Sequence, residues 1–274
     1  MTVINTNISA MRAANASNSA ALMQGTAMQR LSTGKRINSA KDDAAGLAIS
    51  TSMTSQITGM QQGIRNANDG ISLAQTAEGA LNEVTNMLQR VRELAVQSAS
   101  GTYQSADRTN MQQEVTSLTE QVNAVLTNTE FNGVPLFSMA AGTDLTFDIQ
   151  AGANAADVIT VTSRAIDGTN IDATALDVST AALAVTTMAN VDAALGEVAN
   201  TNAAFGGGES QLQSAINNLT SNSTNLSDAR SRIMDADYSA ETTQLAKAQI
   251  LSQASTAMIA QANQAQQNVL SLLK

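Results

Sequence analysis

The stretch ITGMQQGIRNANDGISLAQTAEGALNEVTNMLQRVRELAVQS, residues 57–98, decides the architecture. It holds no proline, and its glycines stand only at Gly59, Gly63, Gly70 and Gly79. Ile57, Met60, Ile64, Ala67, Ile71 and Ala74 alternate in steps of three and four, the seam of a long helix packed on other helices. The spacing then slips to Ala77 and resumes through Leu81, Val84, Leu88, Val91 and Ala95, a stammer in the repeat. At ~1.5 Å per residue the stretch predicts a rod about 60 Å long, against a mean helix of roughly 11 residues in compact domains. Such a rod needs partners along its whole seam.

Its best partner lies near the other end of the chain. Val191, Val198, Phe205, Leu212, Leu219, Leu226 and Ile233 stand seven apart without a miss. Between them run Leu195, Asn202, Glu209, Ile216, Ser223 and Arg230, so one seam line is apolar and the other half polar. The apolar line predicts core, and the polar line predicts contacts that are wet or made with a further partner. The expected fold is mainly α, an elongated antiparallel helical bundle or coiled coil of N- and C-terminal segments with a small β-hairpin region at its far end.

Outward from the rod, Ser100-Gly101-Thr102 breaks the helix, and Ser105 or Asp107 can cap the next one. That helix carries Met111, Val115, Leu118, Val122 and Val125, and the short loop before it predicts an antiparallel return. Phe131-Asn132-Gly133-Val134-Pro135-Leu136-Phe137 reads as a tight turn between apolar anchors. From 138 to 186 the period falls to two: Leu145, Phe147 and Ile149 alternate with polar residues, and Val158 to Thr162 completes a hairpin. The Thr-, Asp- and Ala-rich remainder, with scattered Ile166, Ile171, Leu176 and Val178, reads as a small cap with few core anchors, replaceable from 163 to 182 by a flexible linker.

Both termini are weakly amphipathic. Residues 1–43 offer Ile4, Ile8, Met11, Leu22, Met23, Met28 and Leu31, and the last forty offer Leu245, Ile250, Leu251, Met258, Ile259, Val269, Leu270, Leu272 and Leu273. These segments are marginal alone, and their Ala-rich faces suit close packing between copies. Ile4, Ile8, Leu31, Val269, Leu270, Leu272 and Leu273 are the candidate assembly contacts. The connector residues Arg36, Lys41, Asp42 and Asp43 read either as solvated or as an ion-pair junction between copies. Asp235 and Asp237 suit capping or solvation better than metal binding, since no third ligand is spaced with them.

Composition narrows the function. Four Phe, two Tyr and no Trp suit thin helical layers more than one large core. With no Cys and no His, disulfides, Cys/His zinc sites, cysteine nucleophiles and His-dependent triads are excluded. Scattered carboxylates and serines form no convergent polar site, so the chain reads as no enzyme, with no catalytic residue, cofactor or metal. The net charge of -9 argues against nucleic acid or an anionic membrane as partner. No stretch approaches the ~18 apolar residues of a membrane span, and the first residues lack a cleaved secretory signal. A soluble helical adhesin or secreted interaction protein stays open as one reading.

Several strings closely resemble bacterial flagellin. They include Val3-Ile4-Asn5-Thr6-Asn7, Arg36-Ile37-Asn38-Ser39-Ala40-Lys41-Asp42-Asp43, Arg65-Asn66-Ala67-Asn68-Asp69-Gly70, Leu88-Gln89-Arg90-Val91-Arg92-Glu93-Leu94, Ala229-Arg230-Ser231-Arg232-Ile233 and Gln267-Asn268-Val269-Leu270-Ser271-Leu272-Leu273. The resemblance covers about the first 137 and last 85 residues. It implies a self-assembling subunit of the flagellar filament for swimming motility, located outside the cell and exported through the flagellar type III apparatus. It further implies an inner-tube coiled coil from 1–43 with 234–274, a surrounding helical layer from 44–137 with 187–233, and an outer variable region at 138–186. The partners it implies are other copies, the flagellar cap, hook-junction proteins, an export chaperone and the host Toll-like receptor 5. For that receptor it points to Gln89, Arg90, Leu94 and Glu114, with Leu94 expected to be exposed beside Arg90. Two departures stand out: Gly206-Gly207-Gly208 inside a helix, which leaves open whether the helix is straight or kinked there, and Gln266 where the family commonly has proline.

Overall fold

A computed structural model of the chain describes residues 6–271, with side chains described as far as Gln267. Five helices carry the fold: α1 (Ile8–Thr33), α2 (Ala44–Ala99), α3 (Ser105–Asn128), α4 (Ala181–Met234) and α5 (Tyr238–Ser271). Two antiparallel hairpins join them, β1 (Glu130–Phe131) with β2 (Val134–Pro135) and β3 (Leu145–Gln150) with β4 (Val158–Ser163). The chain divides into two compact units, Met1–Ser55 with Asn225–Lys274, and Gln56–Thr224. The mainly helical fold with long antiparallel packing and a small hairpin is thus the one its heptads dictate.

In the larger unit α2 meets α3 and α4 in antiparallel register. Arg90 of α2 pairs with Glu114 of α3, and further along α2 the Ser98 carbonyl accepts from the Arg108 guanidinium. On the other side Arg92 pairs with Asp192, while Gly70 lies against the Leu212 side chain. The seam is the one the spacing predicts: Ala67, Ala74, Ala77, Leu81, Val84, Leu88, Val91 and Ala95 are buried. Opposite them, Val191, Val198, Phe205 and Leu212 are buried, whereas Leu219 is only half buried. Each large side chain fully buried in this seam contributes roughly 1.5–3 kcal/mol.

Three features of this unit were hidden in the pattern. First, glycines seat the hairpin. A Cβ on Gly59 would meet Ala153 at 2.7 Å, and one on Gly208 would meet both Val161 methyls at 3.2 Å. Asn66, on the same face of α2, donates to the Gln150 carbonyl at 3.0 Å. α4 runs unbroken through Gly206–Gly208. Phe205 and Leu212 anchor the helix on either side, Phe205 edge-on to Phe137 with centroids 6.5 Å apart.

Second, the segment after β4 is not a loosely held cap. Ile166, Ile171, Leu176 and Val178 are fully buried in the main core, which overturns the expectation of few anchors. Lacking its own ladder, this strap has its backbone satisfied by side chains of the helices beneath it. Ser98 donates to the Val178 carbonyl at 2.6 Å, and Gln112 accepts from the Val178 amide at 2.6 Å. Asn190 donates to the Ala175 carbonyl, Thr187 to that of Asp177 and Thr201 to that of Arg164. Glu197 accepts from the Asp167 amide and from the Asn170 side chain.

Third, the half-polar line of α4 is partly enclosed. Leu195 and Ile216 pack against the core, but Asn202 Oδ1 and Glu209 Oε1 are buried without a hydrogen-bond partner among the described residues.

The tight turn at Asn132-Gly133 has φ of 53° and 77°, the left-handed pair that a two-residue hairpin needs and Asn-Gly supplies at little cost. Asp107 caps α3 by accepting from the Gln104 amide.

Candidate assembly and recognition surfaces

The smaller unit is built on α1 against α5. Asn7 donates to the Ala262 carbonyl at 3.0 Å, and Arg30 lies 3.6 Å from Glu241, so the two helices run antiparallel. Their seam is made of small residues. Along α1 the enclosed positions are Ala10, Ala13, Ser17, Ala20, Gln24, Ala27 and Leu31, and along α5 Leu245, Ala248, Ser252, Ser255, Ile259, Ala262 and Gln266. Both series step by three and four throughout, with Ala13, Ala20 and Ala27 fully enclosed, so the backbones can approach closely.

Apart from Leu31, Leu245 and Ile259, the large apolar residues described in α1 and α5 lie off this seam. Ile8 is 50% exposed and Leu22 74%, and Met11, Met23, Met28, Ile250, Leu251 and Met258 are exposed with them. The expectation that the Ala-rich faces meet between copies is therefore corrected: they meet each other within one chain, and the face left open is the larger-residue face. The reason is geometric. A seam of alanines buries little per residue but lets two helices come close, and the bulkier side chains then have no room between them. Of the candidate assembly residues, Leu31 sits on the seam and Ile8 on the open face. Ile4, Leu272 and Leu273 lie outside the described residues, as do the side chains of Val269 and Leu270.

The connectors on either side are tied together within this unit. Arg36 donates its amide to the Met234 carbonyl and its guanidinium to that of Ile233, and the Ala236 amide donates to the Gly34 carbonyl. Asp42 accepts from the Asn38 and Ser39 amides, which hold its carboxyl below the usual aspartate range. Asp43 accepts from the Gly46 amide, and Asp237 accepts from those of Ser239 and Ala240 as the cap of α5. In these two connectors the acidic residues Asp42, Asp43 and Asp237 cap backbone.

On the larger unit, the four residues singled out for recognition fall into two groups. Arg90 donates to Glu114 at 2.8 Å and to Glu93 at 3.0 Å, with Gln89 exposed beside it. The hydrogen bond to Glu114, and then that to Glu93, holds the Arg90 proton more firmly than usual. A shallow hollow lined by Gln89, Arg92, Glu93 and Val96 adjoins this pair. Leu94 does not belong to the surface. It is 2% exposed and packed in the core beside Val91 and Ala95, because the α2 seam there is three residues wide. Sequence spacing put Leu94 on Arg90's face, but the buried stripe of α2 includes it.

Among the described residues no three His, Cys, Asp or Glu side chains are grouped to hold a metal, and no helix is long and apolar enough to cross a membrane. The chemistry on view is packing, capping and exposed ion pairs.

Residues 4–141 match the family described as Bacterial flagellin N-terminal helical region, and residues 188–273 match Bacterial flagellin C-terminal helical region. The flagellin of Xenorhabdus nematophila is 39% identical over 314 residues, an alignment covering 99% of this chain and 99% of that protein. Polar flagellin F of Vibrio parahaemolyticus is 48% identical over 165 residues, which cover 60% of this chain and 44% of that longer relative. Among solved structures, the crystal structure of Bacillus cereus flagellin is 30% identical with a TM-score of 0.48, covering 61% of this chain and 94% of that one.

Proposed function

The chain belongs to the bacterial flagellin family, and on that premise we propose that it is a structural subunit of the flagellar filament. One observation carries this reading: α1 and α5 use alanines for each other and leave Ile8, Leu22, Ile250 and Leu251 facing outward. Large apolar residues left exposed along both helices of a single chain suit repeated contact with further copies. Residues 1–43 with 234–274 then form the inner tube, 44–137 with 187–233 the layer around it, and 138–186 the outer surface. The role is mechanical, and the filament lies outside the cell.

The finer partners belong to the same proposal. A flagellar cap, hook-junction proteins and an export chaperone handle the subunit on its way into the polymer. Toll-like receptor 5 meets the free subunit at Gln89, Arg90 and Glu114, with Leu94 supporting that surface from beneath. Support for this site is the exposed Arg90–Glu114 pair, which presents a fixed donor and acceptor on one face.

The test is seeded elongation. Purified chain added to sheared filament fragments should lengthen them under the electron microscope. A chain that stays monomeric and folded in the presence of seeds would favour the adhesin alternative.

A further inference from the structure

Two flanks of α4 in the larger unit carry charges that the chain itself leaves unanswered. Asn202, Gly206 and Glu209 step by four and three along one flank, and Ala204, Gly207 and Gln211 step by three and four along the other, about half a turn away. On the first flank Asn202 Oδ1 and Glu209 Oε1 are buried with no donor among the described residues. Glu78 of α2 closes this notch, for its Oε1 would stand 3.8 Å from a Cβ on Gly206. Burial, and then the charge of Glu78, push the Glu209 carboxyl up, and among the described residues no cation pairs with either carboxylate.

On the second flank a cation is left over. Arg164 stands exposed on the rim of a hollow floored by Gly207 and Gly208 and walled by Asp144, Thr162 and Gln211. Its carbonyl accepts from the Thr201 hydroxyl, which fixes the stem, while among the described residues no carboxylate forms an ion pair with its guanidinium. Asp144 accepts from the Ala165 amide instead. Nothing lies within 4 Å of a would-be Cβ on Gly207, so α4 is bare there and a neighbouring backbone has room to come close.

We propose that Arg164 of one copy docks into the Glu78–Glu209 notch of the next, a side-by-side contact between larger units that repeats around the filament. This rests on the filament reading above. The two patches lie on opposite flanks of one helix, so they cannot meet within a chain. Each copy offers one of each, and a contact of that heterologous kind adds subunits without closing on itself as a dimer. A guanidinium brings five donors in a fixed fork, and Glu78, Glu209 and the Asn202 side-chain carbonyl hold acceptors for them. With a net charge of -9 the copies repel at a distance, so a local contact of opposite sign selects which faces meet.

The experiment compares seeded elongation by charge variants of the full chain. Arg164→Glu sets like charges against each other and should slow elongation of wild-type seeds by roughly tenfold or more. Arg164→Glu with Glu78→Arg reverses both sides of the contact, and this chain should grow on seeds of its own kind at close to the wild-type rate. In the unassembled chain the shifts of unfolding midpoint from the two changes should simply add, because the residues do not touch within one copy. Since the sequence has no cysteine, Arg164→Cys with Glu78→Cys gives a second reading that needs no charge. Under mild oxidation this pair should link neighbouring copies in filaments and leave the unassembled chain monomeric on a non-reducing denaturing gel. Unslowed growth by Arg164→Glu, a double reversal as slow as the single one, or filaments that form without cross-links would overturn the proposal. Wild-type chain that cannot elongate seeds would instead overturn the filament reading, and the contact with it.

Discussion

Gly152 lies directly against Gly63: a Cβ on Gly63 would stand 2.9 Å from the Gly152 amide nitrogen and 2.9 Å from the Ala151 carbonyl carbon. The neighbour is backbone of the β3–β4 turn, which cannot swing aside as a side chain could. Gly63→Ala should therefore destabilise the larger unit by about 1–3 kcal/mol through overpacking, despite its better helix propensity. Gly207→Ala is the control, since nothing lies within 4 Å of its would-be Cβ. That change should be neutral or stabilising by up to ~1 kcal/mol. Thermal denaturation of the two variants beside wild type measures the contrast; equal shifts of Tm would remove the argument that α2 glycines seat the hairpin.

The strap gives a second prediction. Leu176 is 1% exposed, and the Gln112 side chain donates to its carbonyl. Leu176→Ala should cost about 2–5 kcal/mol, the range for emptying a packed leucine site. Replacement of 163–182 by a Gly/Ser linker should then unfold the larger unit. A linker variant with wild-type urea midpoint would show that Ile166, Ile171, Leu176 and Val178 are dispensable.

This strap marks the limit of what the sequence discloses. The seams of α2 and α4 are legible because a heptad repeats a signal many times, and Leu81, Val84, Leu88 and Val91 all say the same thing. The β3–β4 hairpin is legible for the same reason at period two. The strap has no period, since each of its anchors is held by a different helix, and Thr187, Asn190 and Gln112 bind it through backbone atoms that leave no pattern. The proposed recognition surface is half legible. Arg90 and Glu114 are where helical spacing puts them, but the width of the buried stripe at Leu94 depends on what covers α2 from both sides. At the termini the small residues carried the information: Ala13, Ala20 and Ala27 are a heptad hidden behind larger side chains that look more like core.

Glu209 supplies a pH-dependent outcome. Its carboxyl is raised above the ordinary glutamate value of 4.5, first by burial and then by the charge of Glu78, and its Oε1 has no donor. A carboxyl raised in the folded state contributes stability that is full below the unfolded value and lost as pH rises through the folded one. Wild type should therefore lose stability relative to Glu209→Gln between about pH 4 and neutrality. Using the difference between the two proteins removes the opposite trend from Asp42 and Asp192, whose partners lower their carboxyls. Urea midpoints across this range test it, and a difference that stays flat with pH would mean that Glu209 is solvated.

Arg90 and Leu94 should separate binding from stability. Arg90→Ala breaks an exposed pair and should leave the urea midpoint nearly unchanged while weakening capture by the receptor ectodomain. Leu94→Ala should cost about 2–5 kcal/mol, and its effect on the receptor should follow its loss of fold. If Leu94→Ala left stability intact and abolished capture, Leu94 would be a contact residue after all.

The last prediction sets two neighbouring positions of α1 against each other. Ala20 is wholly enclosed by α5, whereas Leu22, two residues on, is 74% exposed. By size alone the leucine is the core residue and the alanine the spacer; the structure assigns them the reverse roles. Ala20→Leu puts three further carbons into a seam whose backbones are already close, and overpacking of this kind costs about 1–3 kcal/mol. The smaller unit has little to spare, because alanines and serines fill most of the rest of its seam, so α1 and α5 should become protease-sensitive while the larger unit survives. Leu22→Ser touches nothing within the chain, and its unfolding midpoint should stay within roughly ±0.5 kcal/mol of wild type. In seeded elongation the order reverses in meaning: Leu22→Ser should slow growth although the subunit is folded, because a polar hydroxyl replaces an apolar contact with the next copy. Limited proteolysis of the monomer and electron microscopy of the seeded reaction, run on both variants, read the two effects separately. Unimpaired growth by Leu22→Ser would mean that the open face of α1 is not where copies meet.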